Sequence, residues 1–560
     1  IRCETLTDTE VVLRLLDRDG LAALHRLNGQ FAFAIYDRRR QSVFLARDRF
    51  GILPLFYAER DGDLYFASEI KALFATGEVD RAADPVGLDQ VFTFWAARPP
   101  RTPFRAVRAL EPGCCALWRE GRLAERRYYA VDYSDVRPEG LDARRELDGT
   151  LRASVWSRLV ADVPVGAYLS GGVDSSAVCA LASAATLHAL RTFSVTFDDP
   201  RFDESAYQRT VAEALDTRHA VQRIGGADIA RVFPDVVRHA ETPLLRTAPA
   251  PLFLLSRLTR ERGITVVLSG EGADEVFLGY DVFKETAVRL FCARQPGSAV
   301  RPRLFDRLYP YFESAGRGND FWRGFFLSAG APADPLFSHL PRFQLTSRIK
   351  DFYSSDFRAA LAGVDALDQL RDALPRAFGR WSPLHRAAYL EFTTLLSPYL
   401  LSTQGDRMSM AHGVEARVPF LDHRVVEFAA ALPETSKLRG LREKRILKRW
   451  AADVLPAAVA QRVKQPYRAP DVPPFFAPGA PAYVRELLAP EALAETGIFD
   501  PAPVAGLVRR CAAGRGMRTW ESQALVGILS TQLWQREFLA ALPQQTITAR
   551  RASPAAAAVA

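Results

Sequence analysis

The chain has 560 residues, 48% hydrophobic and 25% charged, with a formal net charge of +8. That is an ordinary globular balance, and the length exceeds what one hydrophobic core usually supports, so more than one domain is expected. No apolar run is long enough to cross a bilayer and no charged-then-apolar start resembles a signal peptide, so no membrane partner is expected and the cytoplasm is the default location.

The first segment reads as a helix followed by strands. Thr7-Asp8-Thr9-Glu10 resembles a helix N-terminus, with Asp8 or Thr9 able to cap it. Phe31 to Tyr36 and Ser42 to Ala46 form short β runs around the charged turn Arg38-Arg39-Arg40, which reads as solvated. Leu55-Phe56-Tyr57 and Leu64 to Ala67 form a second pair, split by Asp61-Gly62-Asp63. A hairpin-rich layer with flanking helices follows.

The cysteines Cys3, Cys114, Cys115, Cys179, Cys292 and Cys511 show no C-x-x-C pair and no His at zinc spacing, so they read as reduced thiols. The positive charge is mainly Arg and is not gathered on one tail, so no nucleic-acid partner is expected.

From about Arg144 the pattern changes to short apolar strands separated by helical stretches: Gly166 to Leu169, Thr192 to Phe197 and Thr265 to Leu268. This alternation implies an α/β fold with a parallel, doubly wound sheet. Beyond Asp281 the chain reads as helical and aromatic-rich. Pro470 to Pro481 reads as a loop, and the Ala-rich residues 546–560 as a disordered tail.

Ser170-Gly171-Gly172-Val173-Asp174-Ser175-Ser176 follows the strand ending at Leu169 and opens an apolar helix. Glycines let the backbone turn tightly, and amides at a helix start point at an anion with the dipole helping. Ser175 and Ser176 add hydroxyl donors, and Asp174 adds a hard oxygen ligand for Mg2+. The string lacks the G-x-x-x-x-G-K-[ST] pattern of a Walker loop.

This string resembles the pyrophosphate loop of the N-type ATP pyrophosphatases, and its surroundings resemble the asparagine synthetase family. Leu268-Ser269-Gly270-Glu271-Gly272-Ala273-Asp274-Glu275 matches the family's second motif, and Asp406-Arg407-Met408-Ser409-Met410-Ala411 through Asp422 a third. The resemblance runs from Thr7 to about Phe538. It implies ATP and Mg2+ as cofactors, and small-molecule substrates: a carboxylic acid, with aspartate the default acceptor, and glutamine or ammonia. The product is an amide, with AMP and pyrophosphate released. The alternative is a related ligase or cyclase acting on a non-aspartate carboxylate, of the β-lactam synthetase or lasso-peptide cyclase type. A homodimer is among its expectations.

The resemblance also implies residue roles. Leu169, Ser170, Gly171, Gly172, Asp174, Ser175, Ser176, Val195, Ser269 and Gly270 would hold the nucleotide, and Asp174 and Asp274 the metal. Glu271, between glycines, would support adenylation and take a proton from attacking ammonia, because the amine must shed protons before AMP leaves. Lys464 would neutralise charge on the α-phosphate and departing pyrophosphate. Arg246 and Asp406 are candidates for the acceptor, and an Arg417–Asp422 ion pair is expected to be structural.

Residues 1–135 resemble the C-terminal portion of a glutamine amidotransferase domain of the N-terminal-nucleophile hydrolase type, an αββα sandwich, with Asp8 at the position that holds the α-amino group of glutamine. In the family the nucleophile precedes this part, so the chain reads as a fragment of a longer protein, with loss of the hydrolase function as the second reading. Residues 144–545 correspond to the ATP-pyrophosphatase domain with a helical C-terminal part.

Overall fold

Alternation of side chains along the N-terminal strands builds two sheets, as the computed structural model shows; it describes residues 2–309, 320–514 and 518–539. Strands β1 (Ala32–Asp37), β2 (Ser42–Arg47), β3 (Phe56–Arg60), β4 (Asp63–Ala67), β5 (Arg108–Ala109), β6 (Cys114–Arg119) and β7 (Arg122–Arg127) pair antiparallel, in the orders β1-β2-β6-β7 and β4-β3-β5. Period two sends Val43 and Leu45 of β2 to one face, and Phe44 and Ala46 to the other. Val43 and Leu45 meet Tyr57 and Leu64 between the sheets. Phe44 and Ala46 pack on Leu16 and Leu24 of the first helices. Phe56 and Ala58, on the outer face of the second sheet, are covered by Ile70, Leu73, Leu88 and Phe92. The order helix, sheet, sheet, helix is the expected αββα arrangement.

The first helix, Asp8–Asp19, corrects one detail. Its N-cap is Thr7, with extended backbone and a hydroxyl that accepts from Glu10 N at 3.3 Å. Asp8 lies one residue too far in to cap, and contributes charge to the first turn. All six cysteines are free thiols, and all but Cys3 are buried.

The second sheet system is parallel. Strands β8 (Val165–Tyr168), β9 (Arg191–Phe197), β10 (Arg218–Ile224), β11 (Val266–Leu268) and β12 (Glu415–Arg417) run in the order β10-β9-β8-β11-β12. The winding reverses between β8 and β11, and ligands of such sheets settle outside the strand carboxyl ends at that point. Two edge strands interrupt segments read from sequence as something else: β10 is polar and half-exposed, and three-residue β12 lies inside the stretch expected to be helical. The Pro-rich segment also holds a helical turn, Pro473–Phe476, pinned where Phe475 packs on Phe233 at 5.1 Å. Residues 546–560, expected to be disordered, lie outside the described residues.

Helices beyond β11 wall the carboxyl side of the sheet. One of them, Phe392–Asp406, is wound with π-type turns and contains Pro398. The wider turn accommodates a residue that cannot donate within an ordinary helix. The Arg417–Asp422 pair expected from sequence is not formed. Arg417 binds Glu415 at 2.6 Å, whereas buried Asp422 caps the following helix and binds Arg158 at 3.1 Å and Arg424 at 2.8 Å. Arg158 arrives from a distant helix, a partner that local spacing cannot reveal.

The two domains are joined by a buried carboxylate. Glu241 accepts from the backbone amides of Ile70 at 2.8 Å and Lys71 at 2.7 Å, and it binds the buried guanidinium of Arg407 at 2.8 Å. Glu241→Ala strands that guanidinium and two amides, so we expect a loss of about 3–5 kcal/mol, read as a lower urea midpoint, with Glu241→Gln milder because it keeps the acceptor. An unchanged midpoint for Glu241→Ala would contradict this description of the interface.

Candidate active site

Two loops meet at the reversal of the sheet. Residues 169–172 leave β8 and enter the helix Val173–Ala185, and residues 269–272 leave β11 and enter the helix Ala273–Phe277. The N-cap of the first helix, Gly172, makes no side-chain cap bond, so the first-turn amides stay open towards the space between the loops. Ser170 donates from its backbone to Ser175 Oγ at 3.1 Å, and the two hydroxyls lie 3.0 Å apart, which fixes the curl of the loop. The hydroxyl of Ser176 is buried without a hydrogen-bond partner.

The second loop presses on the first. A Cβ at Gly270 would lie 2.7 Å from Ser175 N and 2.9 Å from the carbonyl carbon of Asp174. Both are backbone atoms, so the loops cannot keep this spacing with any other residue. Gly270→Ala should therefore lower kcat/KM by on the order of 100-fold, since displacements near 1 Å have that effect. A variant with ordinary turnover and nucleotide affinity would refute the close approach.

A cavity of about 430 Å³ opens over both loops. Leu169, Ser170, Gly172, Asp174, Ser175, Val195, Arg246, Ser269, Gly270, Glu271, Asp274 and Lys464 all line it. Gly171 and Ser176 support the loop from behind. Asp406 is not part of this wall: it lies at the end of the Phe392–Asp406 helix, where burial pushes its pKa up to about 7 and Arg407 and Arg47 oppose the shift. Its surroundings belong to the domain junction rather than to an acceptor site. Asp8 is exposed in the first helix, on the other domain.

Charge in the cavity is arranged as carboxylates threaded by ammonium groups. Lys444, a residue that sequence reading passed over, places Nζ 2.6 Å from Asp174 Oδ2 and 2.6 Å from Asp274 Oδ1. It does so with a left-handed backbone, φ 52°, a costly conformation for a side-chain-bearing residue that the surrounding contacts must hold. Gly279 makes room, because a Cβ there would lie 2.1 Å from Lys444 Cε. Lys464 reaches Asp274 Oδ2 at 2.5 Å and keeps 23% of its side chain exposed to the cavity. Although burial opposes it, Lys444 and Lys464 hold Asp274 below the ordinary carboxylate range.

Glu271 stands apart from this pairing. Burial pushes its pKa up to about 7, the negative charges of Asp274 and Asp174 add to the shift, and Lys464 opposes it. A carboxyl poised there exchanges protons near neutral pH. Arg462, itself in the cavity lining, secures the first loop by donating to Gly171 O at 3.1 Å, pairing with Glu204 and lying 3.9 Å over the ring of Tyr207. Arg246 lies 4.7 Å over the ring of Trp95, and its Nε has no hydrogen-bond partner.

Asp174 tests whether a metal suits this site. Its Oδ1 is buried without a hydrogen-bond partner, beside a second carboxylate on the facing loop, which is a donor set that fits Mg2+. Among the described residues no group of three or more His, Cys, Asp or Glu could hold a metal alone, so phosphate oxygens and water would have to complete the shell.

Comparison with known proteins agrees with this geometry. Residues 146–536 match the family model for asparagine synthase, and residues 1–129 match that for a glutamine amidotransferase domain. A putative glutamine-hydrolysing asparagine synthetase of Mycobacterium tuberculosis is 32% identical over 479 residues, covering 83% of this chain and 70% of that protein. Asparagine synthetase 1 of Bacillus subtilis is 30% identical, covering 83% of this chain and 72% of its own length. The amidase chyE of Penicillium rubens is 29% identical, with 88% and 77% covered. No described helix is long and apolar enough to cross a membrane. Loops, charges and comparisons converge: the chain belongs to the asparagine synthetase family, ATP-using carbon–nitrogen ligases that carry a glutamine amidotransferase domain.

Proposed function

We propose that this enzyme activates a carboxylic acid as its acyl-adenylate and converts it to an amide. In the first step a carboxylate oxygen attacks the α-phosphorus of ATP, the bond from that phosphorus to the bridging oxygen breaks, and pyrophosphate leaves. Ammonia then attacks the acyl carbon, a proton passes to Glu271, and AMP departs with the former carboxylate oxygen. The observation that carries this reading is the Asp174–Lys444–Asp274–Lys464 cluster between two phosphate-facing loops, with a carboxyl of pKa about 7 beside it.

The first-turn amides of the helix Val173–Ala185 and the Ser170 and Ser175 hydroxyls receive pyrophosphate oxygens. Leu169 and Val195 face the nucleotide. Asp174 and Asp274 would hold Mg2+, which supplies charge neutralisation on the triphosphate. Lys464, at the open face, follows the charge that grows on the leaving group. Arg246 is the candidate contact for the acceptor's charge. The amidotransferase domain, with Asp8 towards glutamine, supplies the ammonia. A cytoplasmic location and a homodimeric assembly are the expectations that go with this reading.

Aspartate is the first acceptor to test, because the M. tuberculosis and B. subtilis relatives are named for asparagine. A non-aspartate carboxylate is the second reading, and the wall formed by Trp95 and Arg246 favours it. Nucleotide products are to be quantified with ATP, ammonium and a panel of carboxylic acids. AMP and pyrophosphate in equal amounts are expected, and ADP with phosphate would exclude adenylation.

A further inference from the structure

The half of the cavity away from the phosphate loop is built from elements that carry no nucleotide motif. The helices Asp320–Ser328, Leu340–Ser347 and Phe392–Asp406 turn Phe325, Leu345, Leu395 and Tyr399 into it, and Trp95 closes one side. The ring of Trp95 meets Tyr399 edge-on at 5.8 Å, and Phe325 lies 5.6 Å from Phe326. Leu395, Tyr399 and Trp95 pack together as one apolar cluster, Phe325 belongs to a second with Trp322 and Phe326, and both line the cavity that holds the charged groups.

Among the described residues, several charged groups around this half are already paired. Arg342 binds the buried carboxylate of Glu391 at 2.8 Å, and Asp281 binds Lys284 at 3.0 Å. Glu443 is held by Lys448 at 2.6 Å and by Lys284 at 3.0 Å. Glu285 accepts from the hydroxyl of Tyr309 and lies 3.7 Å from Arg289. Arg246 suffices for one carboxylate. The α-ammonium and second carboxylate of aspartate would meet a wall in which Arg342, Asp281 and Glu443 are already paired, with Glu285 Oε1, Gln523 Oε1 and the Tyr399 hydroxyl as its open polar atoms, and breaking a pair is costly. An apolar body gains from the same wall by leaving water, and disturbs no pair.

We propose that the acceptor is a carboxylic acid carrying a bulky apolar body, an aryl or long alkyl group, seated against Phe325, Leu345, Leu395 and Tyr399 with its carboxylate towards Glu271 and Lys464. This rests on the adenylating function proposed above. The test uses the full chain with hydrocinnamate, decanoate and aspartate. Binding is measured beside a non-hydrolysable ATP analogue, and AMP release is measured with ATP and ammonium.

An apolar acid should exceed aspartate by about tenfold or more in affinity and in kcat/KM, and Phe325→Ala and Leu345→Ala should each remove most of that margin, the scale at which apolar pockets discriminate. ATP affinity of each variant reports whether it has folded; if both lose it, the wild-type ranking decides. Preference for aspartate, no preference, or folded variants that keep the full margin would each overturn the assignment. Apolar acids that bind preferentially while no acid yields AMP would instead overturn the adenylating function and leave the pocket assignment standing.

Discussion

Glu271→Gln is expected to lower amide formation by on the order of 10²–10⁴-fold, the range over which a positioned proton acceptor acts. Glutamine keeps the size and polarity of the side chain, so packing and nucleotide affinity should change little. Burial sets the pKa of Glu271 at about 7, so only the fraction ionised above that value accepts a proton. Wild-type kcat/KM should therefore rise as pH passes through about 7, and the variant should lose this limb. The profile is measured at a fixed concentration of unprotonated ammonia, which removes the titration of the amine itself. A limb near 7 retained in Glu271→Gln would assign the titration elsewhere. The sign for stability is opposite: a raised carboxyl pKa favours the protonated folded state, and that stabilisation is lost as pH rises through about 7.

Lys464→Ala is expected to reduce kcat by about 10²–10³-fold while the dissociation constant of ATP changes far less. The asymmetry follows from where the two lysines sit. Lys444 is almost fully buried between Asp174 and Asp274, whereas Lys464 keeps a quarter of its surface towards the cavity and binds Asp274 alone at short range. The exposed ammonium is free to turn from its carboxylate to charge that develops on the leaving pyrophosphate, so its contribution falls mainly in the transition state. Rapid-quench measurement of adenylate formation separates this step from product release. A variant with unchanged kcat and a raised KM for ATP would make Lys464 a binding residue only.

The parts of the site legible in the sequence are those built from contiguous strings. Residues 170–176 and 268–275 carry their strand, turn and helix start in one run, so backbone geometry and chemistry could be read together. Lys444 was not legible: it lies among Arg442, Arg445, Lys448 and Arg449, and only tertiary contact distinguishes it from a solvated basic run. The true partners of Asp422 and the burial of Asp406 at the domain junction are likewise long-range facts. Strands β7 and β10 escaped notice because edge strands with charged faces lack the apolar alternation that marks a half-buried strand. In the core, where Val43, Phe44, Leu45 and Ala46 alternate between two packed faces, sequence pattern and fold coincide.

Adenylation itself is tested most directly by following the oxygen of the acceptor. A carboxylic acid that supports turnover is supplied with isotopically labelled carboxylate oxygens, and the AMP is analysed by mass spectrometry. Attack of the carboxylate on the α-phosphorus predicts one labelled oxygen transferred to each AMP formed, with none in pyrophosphate. Unlabelled AMP, or label recovered in inorganic phosphate beside ADP, would show that the carboxylate is activated by another route and would contradict the account.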